Sequence, residues 1–364
     1  MLLRSICACV LLGILGAGLW PFRAPRNDVS WSSQGNGLLF GKHGSIVSAS
    51  PFEARASEED NACSLEIWLE PSRVDLGGTI LAFYWPENRV VPFALRQWRG
   101  GVVLEHESRD HFAQKTEIYV GDVFRSLKPT LVTITSGSAG TATYVNGRLV
   151  KTVSNLSLSN RDLTGQFVVG NGPSTAYNWS GVLKGLAVYD RELSAKSVSQ
   201  DFLNLTMGSQ LASATKEGLI AQYLFDEGTG NVVRNQVNSA TDLQIPERFF
   251  VLHEQFLERP WDEFRPGWHY WKDVAINIVG FIPLGFFFGL YFSEVRKAKH
   301  SAALTIAFGF AVSLTIEVLQ AFLPTRDSGM TDLITNTLGT AVGVMALRHR
   351  AVQAVIAVAG HLQE

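Results

Sequence analysis

Three apolar stretches crowd the C-terminal quarter of this 364-residue chain. They run from Asp273 to Phe292, Ala302 to Phe322 and Asp332 to Leu347, each close to the ~20 residues a helix needs to cross a bilayer. In hydrocarbon every backbone polar group must be satisfied internally, so such stretches are restricted to helices. Near the start, a single Arg4 is followed by a fourth apolar run, Ser5 to Trp20. It reads either as a retained first helix anchored by Trp20 or as a cleaved signal peptide with Gly16 and Gly18 near the cut. Arg296, Lys297 and Lys299 lie between the first two C-terminal spans, and Arg348 and Arg350 follow the last. The positive-inside rule makes both clusters cytoplasmic and puts Pro324 to Thr331 outside, in agreement with Arg4 inside. Four spans with both termini inside are expected. The run from Ala351 to Gly360 is too short to cross again.

The middle of the chain has a different texture. From about Val29 to Asp242, short β-rich runs are separated by Gly, Asn, Asp and Pro, as in a sandwich or barrel. Ser64 to Glu70 alternates Leu65, Ile67 and Leu69 with other residues, the pattern of a strand with one buried face. Thr141 to Val145 and Arg148 to Val153 flank Asn146-Gly147, a pair suited to the positive φ angles of a type I′ hairpin turn. Phe167 to Gly170 and Val182 to Tyr189 predict further strands, and Ser194 predicts the cap of a short helix over Ala195 to Leu203. The three cysteines, Cys7, Cys9 and Cys63, form neither a disulfide framework nor a thiolate metal site. A formal net charge of -2 gives no basic field for nucleic acid. No metal or cofactor motif is present, and none is expected.

Leu65-Glu66-Ile67-Trp68-Leu69, Tyr144-Val145-Asn146-Gly147, Val168-Val169-Gly170-Asn171 and the run Gly185 to Ser194 occur in an order that resembles the laminin-G-like, concanavalin A-like jelly roll. A later run, Tyr223 to Gly230, resembles the strand that opens such domains and is expected as a rearranged edge of the same sandwich. Glucanases of this fold carry acids at alternating strand positions so that acid and nucleophile share a groove. No Glu-x-Asp-x-x-Glu run exists here; Glu66 and Glu70, on either side of Trp68, are expected on a solvated strand face. The resemblance therefore implies a binding module for a glycan or another cell-wall component.

Two of the C-terminal spans share a pattern. Asp273, Asn277 and Gly280 repeat the spacing of Asp332, Asn336 and Gly339. A spacing of four puts Asp and Asn on one helical face, and the glycine lets another backbone approach. Between them come Glu317 and Gln320, then Arg326 and Asp327. A carboxylate in a span needs a partner or a wet cavity, and Arg326 is the expected partner of Glu317. Asn277 through Pro283 to Gly285, Glu317 to Gln320 and Arg326 to Gly339 together resemble the VanZ-like membrane family, with a large excursion between its first and second helices. That resemblance implies an envelope setting and an association with glycopeptide resistance.

The expected fold is a multi-domain membrane protein: an all-β concanavalin A-like jelly-roll sandwich plus a four-helix transmembrane bundle. The divisions are 1–22 (first helix), 29–245 (extracytoplasmic sandwich), 246–272 (linker and interfacial aromatic segment), 273–350 (VanZ-like bundle) and 351–364 (tail). Asp273, Asn277, Glu317, Gln320, Arg326, Asp327, Asp332 and Asn336 form the candidate site, an outer-leaflet cluster for a lipid-linked or amphiphilic envelope molecule in the cytoplasmic membrane. The rival reading is a membrane enzyme with Glu317 as acid or base.

Overall fold

The computed structural model describes residues 1–33, 35–53, 62–107, 115–174, 178–208, 210–212, 216–264 and 266–349. The expectations on Arg350 and on 351–364 lie outside the described residues. Helices are α1 (Leu2–Leu19), α2 (Ala195–Thr206), α3 (Pro260–Glu263), α4 (Trp268–Leu290), α5 (Ser301–Gln320) and α6 (Met330–Arg348). Strands are β1 (Val29–Trp31), β2 (Leu38–Phe40), β3 (Ile46–Ser48), β4 (Cys63–Pro71), β5 (Gly77–Trp85), β6 (Val90–Trp98), β7 (Gly101–Glu107), β8 (Lys115–Val120), β9 (Thr130–Gly137), β10 (Gly140–Val145), β11 (Arg148–Val153), β12 (Gln166–Val169), β13 (Gly181–Tyr189), β14 (Leu219–Tyr223), β15 (Val232–Val233) and β16 (Leu243–Gln244). They fall into two compact units: Pro25–His253, and Met1–Ala24 together with the chain from Glu254 onward.

The first unit is a two-sheet sandwich. One sheet runs β1-β2-β13-β4-β9-β10-β11, with β14 also on β13; the other runs β15-β16-β3-β12-β5-β6-β7-β8. Leu65, Ile67 and Leu69 of β4 face Phe83, Phe93 and Phe167 in the core between the sheets, as the alternation predicts. The β10–β11 hairpin turns on Asn146 at φ 51° and Gly147 at φ 75°, both left-handed as a type I′ turn requires. Ser194 caps α2 by accepting the Ser197 N–H at 3.1 Å. The late segment lies in this sandwich, but its strand is Leu219–Tyr223, while Phe225 to Gly230 form a loop.

Two expectations are corrected here. Glu66 is fully buried rather than solvated, because α2 lies over that face of β4 and β13, with Val198 and Leu205 packed among Leu131, Tyr144 and Tyr189. Residues 246–253, expected as linker, pack in the sandwich. Phe249 is 1% exposed, its N–H donates to Pro25 O at 3.1 Å, and the Asn27 N–H donates to Glu247 O at 3.1 Å.

In the second unit, α1, α4, α5 and α6 form a bundle. Phe281, Leu284, Val312 and Ile316 pack with Val10, Leu11 and Ile14 at its centre. Gly339 and Gly343 of α6 lie against the carbonyls of Ile278 and Ile282 of α4, so these two helices run parallel with their backbones in close contact. The expected role of Gly280 is not realised: a Cβ there would meet nothing within 4 Å. Gly285, against Thr340, supplies the close approach on α4 instead. Three helical segments, Leu2–Leu19, Trp268–Val295 and Ser301–Gln320, are long and apolar enough to cross a membrane. Helix α6 has 19 residues, and its threonines, Asp332 and Asn336 lower its hydropathy.

Candidate functional site

The bundle sorts its charges by end. Cys7 of α1 contacts Phe287 O of α4 at 3.5 Å, and Gly18 lies against Ile316, so α1 runs alongside α5 and opposite to α4. Arg4, Arg296, Lys297, Lys299 and Arg348 therefore gather at one end. The candidate residues gather at the other.

At that end the chain ties down helix termini. The first N–H groups of a helix have no partner within it, and the partial positive charge there favours anions. Gly329, before α6, donates its N–H to Glu317 Oε2 at 2.9 Å, and Thr331 donates to Glu263 Oε2 at 3.1 Å. Met330 donates to Glu258 O at 2.9 Å, and Glu258 returns its N–H to Ser328 O at 3.0 Å. Asp332 adds a third carboxylate in the first turn. The last carbonyls of α1 are met from the opposite sign. Gln320 Nε2 donates to Gly18 O at 2.7 Å, and Arg326 Nη2 reaches Gly18 O at 3.4 Å and Ala17 O at 3.5 Å. Cationic side chains suit a helix C-terminus for the same electrostatic reason.

The expected Glu317–Arg326 pair is thus corrected. Among the described residues no ion pair joins them; Glu317 caps α6 and Arg326 caps α1. The turn around Pro324 does fold Arg326 back, but onto backbone carbonyls.

Helices α5 and α6 are antiparallel, and three levels face one another along them. Gly309 lies against Thr340, Asn336 Nδ2 donates to Ser313 Oγ at 3.0 Å, and one turn further Glu317 stands opposite Asp332. Asn277 of α4 completes that last level, its Nδ2 donating to Asp332 Oδ1 at 2.7 Å. The two Asp-Asn-Gly copies therefore meet, yet not symmetrically, since Asp273 and Asp327 stay exposed at the rim. Glu317 is 1% exposed, Asn336 5% and Gln320 7%. Asn336 Oδ1, Gln320 Oε1 and Arg326 Nε are buried and make no hydrogen bond. A general acid or base needs reach to substrate, whereas Glu317 has one oxygen on the Gly329 amide and almost no exposure.

Sequence reasoning missed Glu263, Glu258 and Ser313. Ser313 had a signal, since it precedes Glu317 by one helical turn. The two glutamates had none, because they act from α3 and the segment before it across a long stretch of sequence. Among the described residues, no group of three or more His, Cys, Asp or Glu is placed to hold a metal.

Helices long and apolar enough for a bilayer, in one chain with a two-sheet sandwich, define a membrane protein with a jelly-roll domain. Residues 218–352 match the VanZ/LLP1 family, and residues 44–199 match the concanavalin A-like lectin/glucanases superfamily. The chain therefore carries a laminin-G-like jelly roll ahead of a VanZ-like domain, and the VanZ/LLP1 match begins within the sandwich unit. Among functionally curated proteins nothing matches. Similar solved structures include a protein described as carbohydrate-binding from Bacteroides ovatus, at 13% identity and TM-score 0.39, covering 64% of this chain and 63% of that one. The botulinum neurotoxin serotype D ligand binding domain in complex with N-acetylneuraminic acid is similar at 15% identity and TM-score 0.36, covering 50% and 45%. The serotype G binding domain gives 17% and 0.33, covering 49% and 42%. This chain spans less than two thirds of each of them.

Proposed function

We propose that the chain is a multi-pass protein of a bacterial cytoplasmic membrane. Its sandwich stands outside and binds a glycan of the envelope, and the polar end of its bundle holds the headgroup of a lipid-linked or amphiphilic envelope molecule. The carrying observation is the uneven spread of charge: Arg4, Arg296, Lys297, Lys299 and Arg348 gather at one end of the bundle, whereas Glu263, Asp273, Glu317, Asp327 and Asp332 gather at the other, with Lys272 and Arg326 among them. Basic segments stay cytoplasmic, which turns the polar end outward. Much of the polar end is spent on capping α6 and α1. Groups left for a ligand include Asn336 Oδ1, Gln320 Oε1, Arg326 Nε and the hydroxyls of Thr325 and Thr331, buried polar atoms that cost free energy while unbonded, with Asp273 exposed at the rim.

The test is binding of a polyprenyl-phosphate-linked sugar to the full chain in lipid nanodiscs, read as a shift in thermal melting. Gln320→Leu and Asn336→Leu are expected to reduce the shift strongly while the bundle still folds. Equal shifts in both variants and the parent would remove the headgroup site. A role in glycopeptide resistance, carried by the VanZ-like domain, predicts altered glycopeptide susceptibility when the gene is deleted.

A further inference from the structure

The sheet formed by β15-β16-β3-β12-β5-β6-β7-β8 turns Leu95, Leu104 and Ile118 into the core. The strand register therefore sends Trp98, Gly101 and Tyr119 to its opposite face: Trp98 pairs with Gly77 and Gly101, and Tyr119 pairs with Val103. Both aromatic rings are open, Trp98 at 46% exposure and Tyr119 at 47%. Each also rests on a glycine. A Cβ on Gly77 would meet the Trp98 ring at 3.2 Å, and a Cβ on Gly101 would meet the Tyr119 ring at 2.6 Å. Glycines at 77 and 101 are what allow the rings to lie low on the sheet. The two rings cover strands on either side of β6, roughly 10 Å apart by strand spacing.

The charges beside them are largely spent on each other. Arg96 pairs with Glu105, and Lys115 pairs with Glu105 at 3.3 Å and Glu117 at 3.0 Å. Arg96 and Lys115 thus offset Glu105 and Glu117. At the rim, Lys151 Nζ donates to Tyr119 O at 2.8 Å, and the Arg99 guanidinium stands 5.9 Å from the Trp98 ring centre.

We propose that Trp98 and Tyr119 form a binding platform for an uncharged, β-linked pyranose chain, a placement that rests on the glycan-binding reading above. The chemistry selects that occupant. A pyranose with equatorial substituents has a flat C–H face that packs on an aromatic ring, and its hydroxyls take the rim donors. Two rings a strand apart on either side hold two sugars of one chain. An anionic polymer would find Arg96 and Lys115 already paired with Glu105 and Glu117, with Arg99 and Lys151 left at the rim.

The test uses the full chain in detergent with chitohexaose and cellohexaose as probes, followed by calorimetry and tryptophan fluorescence. At least one probe is expected to bind, with Trp98→Ala and Tyr119→Ala each weakening it by roughly tenfold or more, as central aromatic contacts do. Trp98→Phe, which keeps a ring, should retain most of the affinity, and Leu149→Ala on the other sheet should change nothing. Probe binding that survives both alanine variants overturns the platform and leaves the glycan reading standing. A parent chain silent to both probes also overturns the platform, and the glycan reading falls with it when a wider panel of cell-wall glycans is equally silent.

Discussion

At Glu66, burial beneath α2 pushes the carboxyl up to about 8, and the nearby Asp201 adds to the rise, while hydrogen bonds from Thr133 and Tyr189 oppose it. The Tyr189 hydroxyl is raised in turn, by burial first and by Glu66 and Asp201 next. The folded sandwich therefore holds a proton at Glu66 that the unfolded chain releases near 4.5. Stability should fall as pH rises between those values and level off above. Urea unfolding of the sandwich across that range checks the slope, and Glu66→Gln, which mimics the protonated form, should flatten it. A second residue-scale expectation concerns Glu317 and Arg326. Because they cap different helices, Glu317→Gln and Arg326→Gln should be additive to within about 0.5 kcal/mol in a double-mutant cycle on the bundle's thermal stability. A large coupling would place the pair in contact after all. The sequence made Leu65, Ile67 and Leu69 legible because alternation is local. It hid the burial of Glu66, since the covering helix comes some 130 positions later and nothing in β4 announces it.

At the scale of elements, α4 and α6 meet backbone to backbone, and that contact turns on glycine. The visible repeat offsets the two segments by 59 residues (332 - 273), whereas the packed backbones meet at offsets of 61 (339 - 278 and 343 - 282) and 55 (340 - 285). Neither matches the repeat, and Gly280 faces open space although its repeat partner Gly339 is packed. Periodicity could identify a face with small residues but not its phase against a neighbour. Gly339→Val and Gly343→Val would drive a side chain into the Ile278 and Ile282 carbonyls and should cost about 1–3 kcal/mol each, if the bundle forms at all. Gly280→Ala should be neutral or stabilising by up to about 1 kcal/mol, since alanine favours a helix and finds room. Thermal melts of the three variants in detergent rank them.

For the whole molecule, the boundaries of the sandwich are set by pairing between its two ends. A fragment of residues 25–253 retains Phe249, Val251 and the bonds to Pro25 and Asn27; one of residues 29–245 loses them. The longer fragment should unfold at a higher urea concentration, by about 2 kcal/mol or more in stability, the cost of removing a buried aromatic. Across the membrane, a reporter fused at Lys299 should be cytoplasmic and reporters within 25–253 exported. The order of the two domains was readable from motifs. Where one stops was not, because residues 246–253 look like a connector and become structure only by meeting residues 25–27.

That meeting has a consequence for how such a chain can change. Arg26 bridges Arg248 antiparallel, so the polypeptide enters and leaves the sandwich at one spot. A domain with adjacent ends is a cassette: it can be spliced out for a short loop, or traded for another with ends equally near, without demanding new distances between the helices it interrupts. A graft joining residue 24 to residue 254 through a brief glycine-serine linker should still insert and fold. Lineages of such proteins would then be free to alter what they grip while the machinery in the bilayer stays the same.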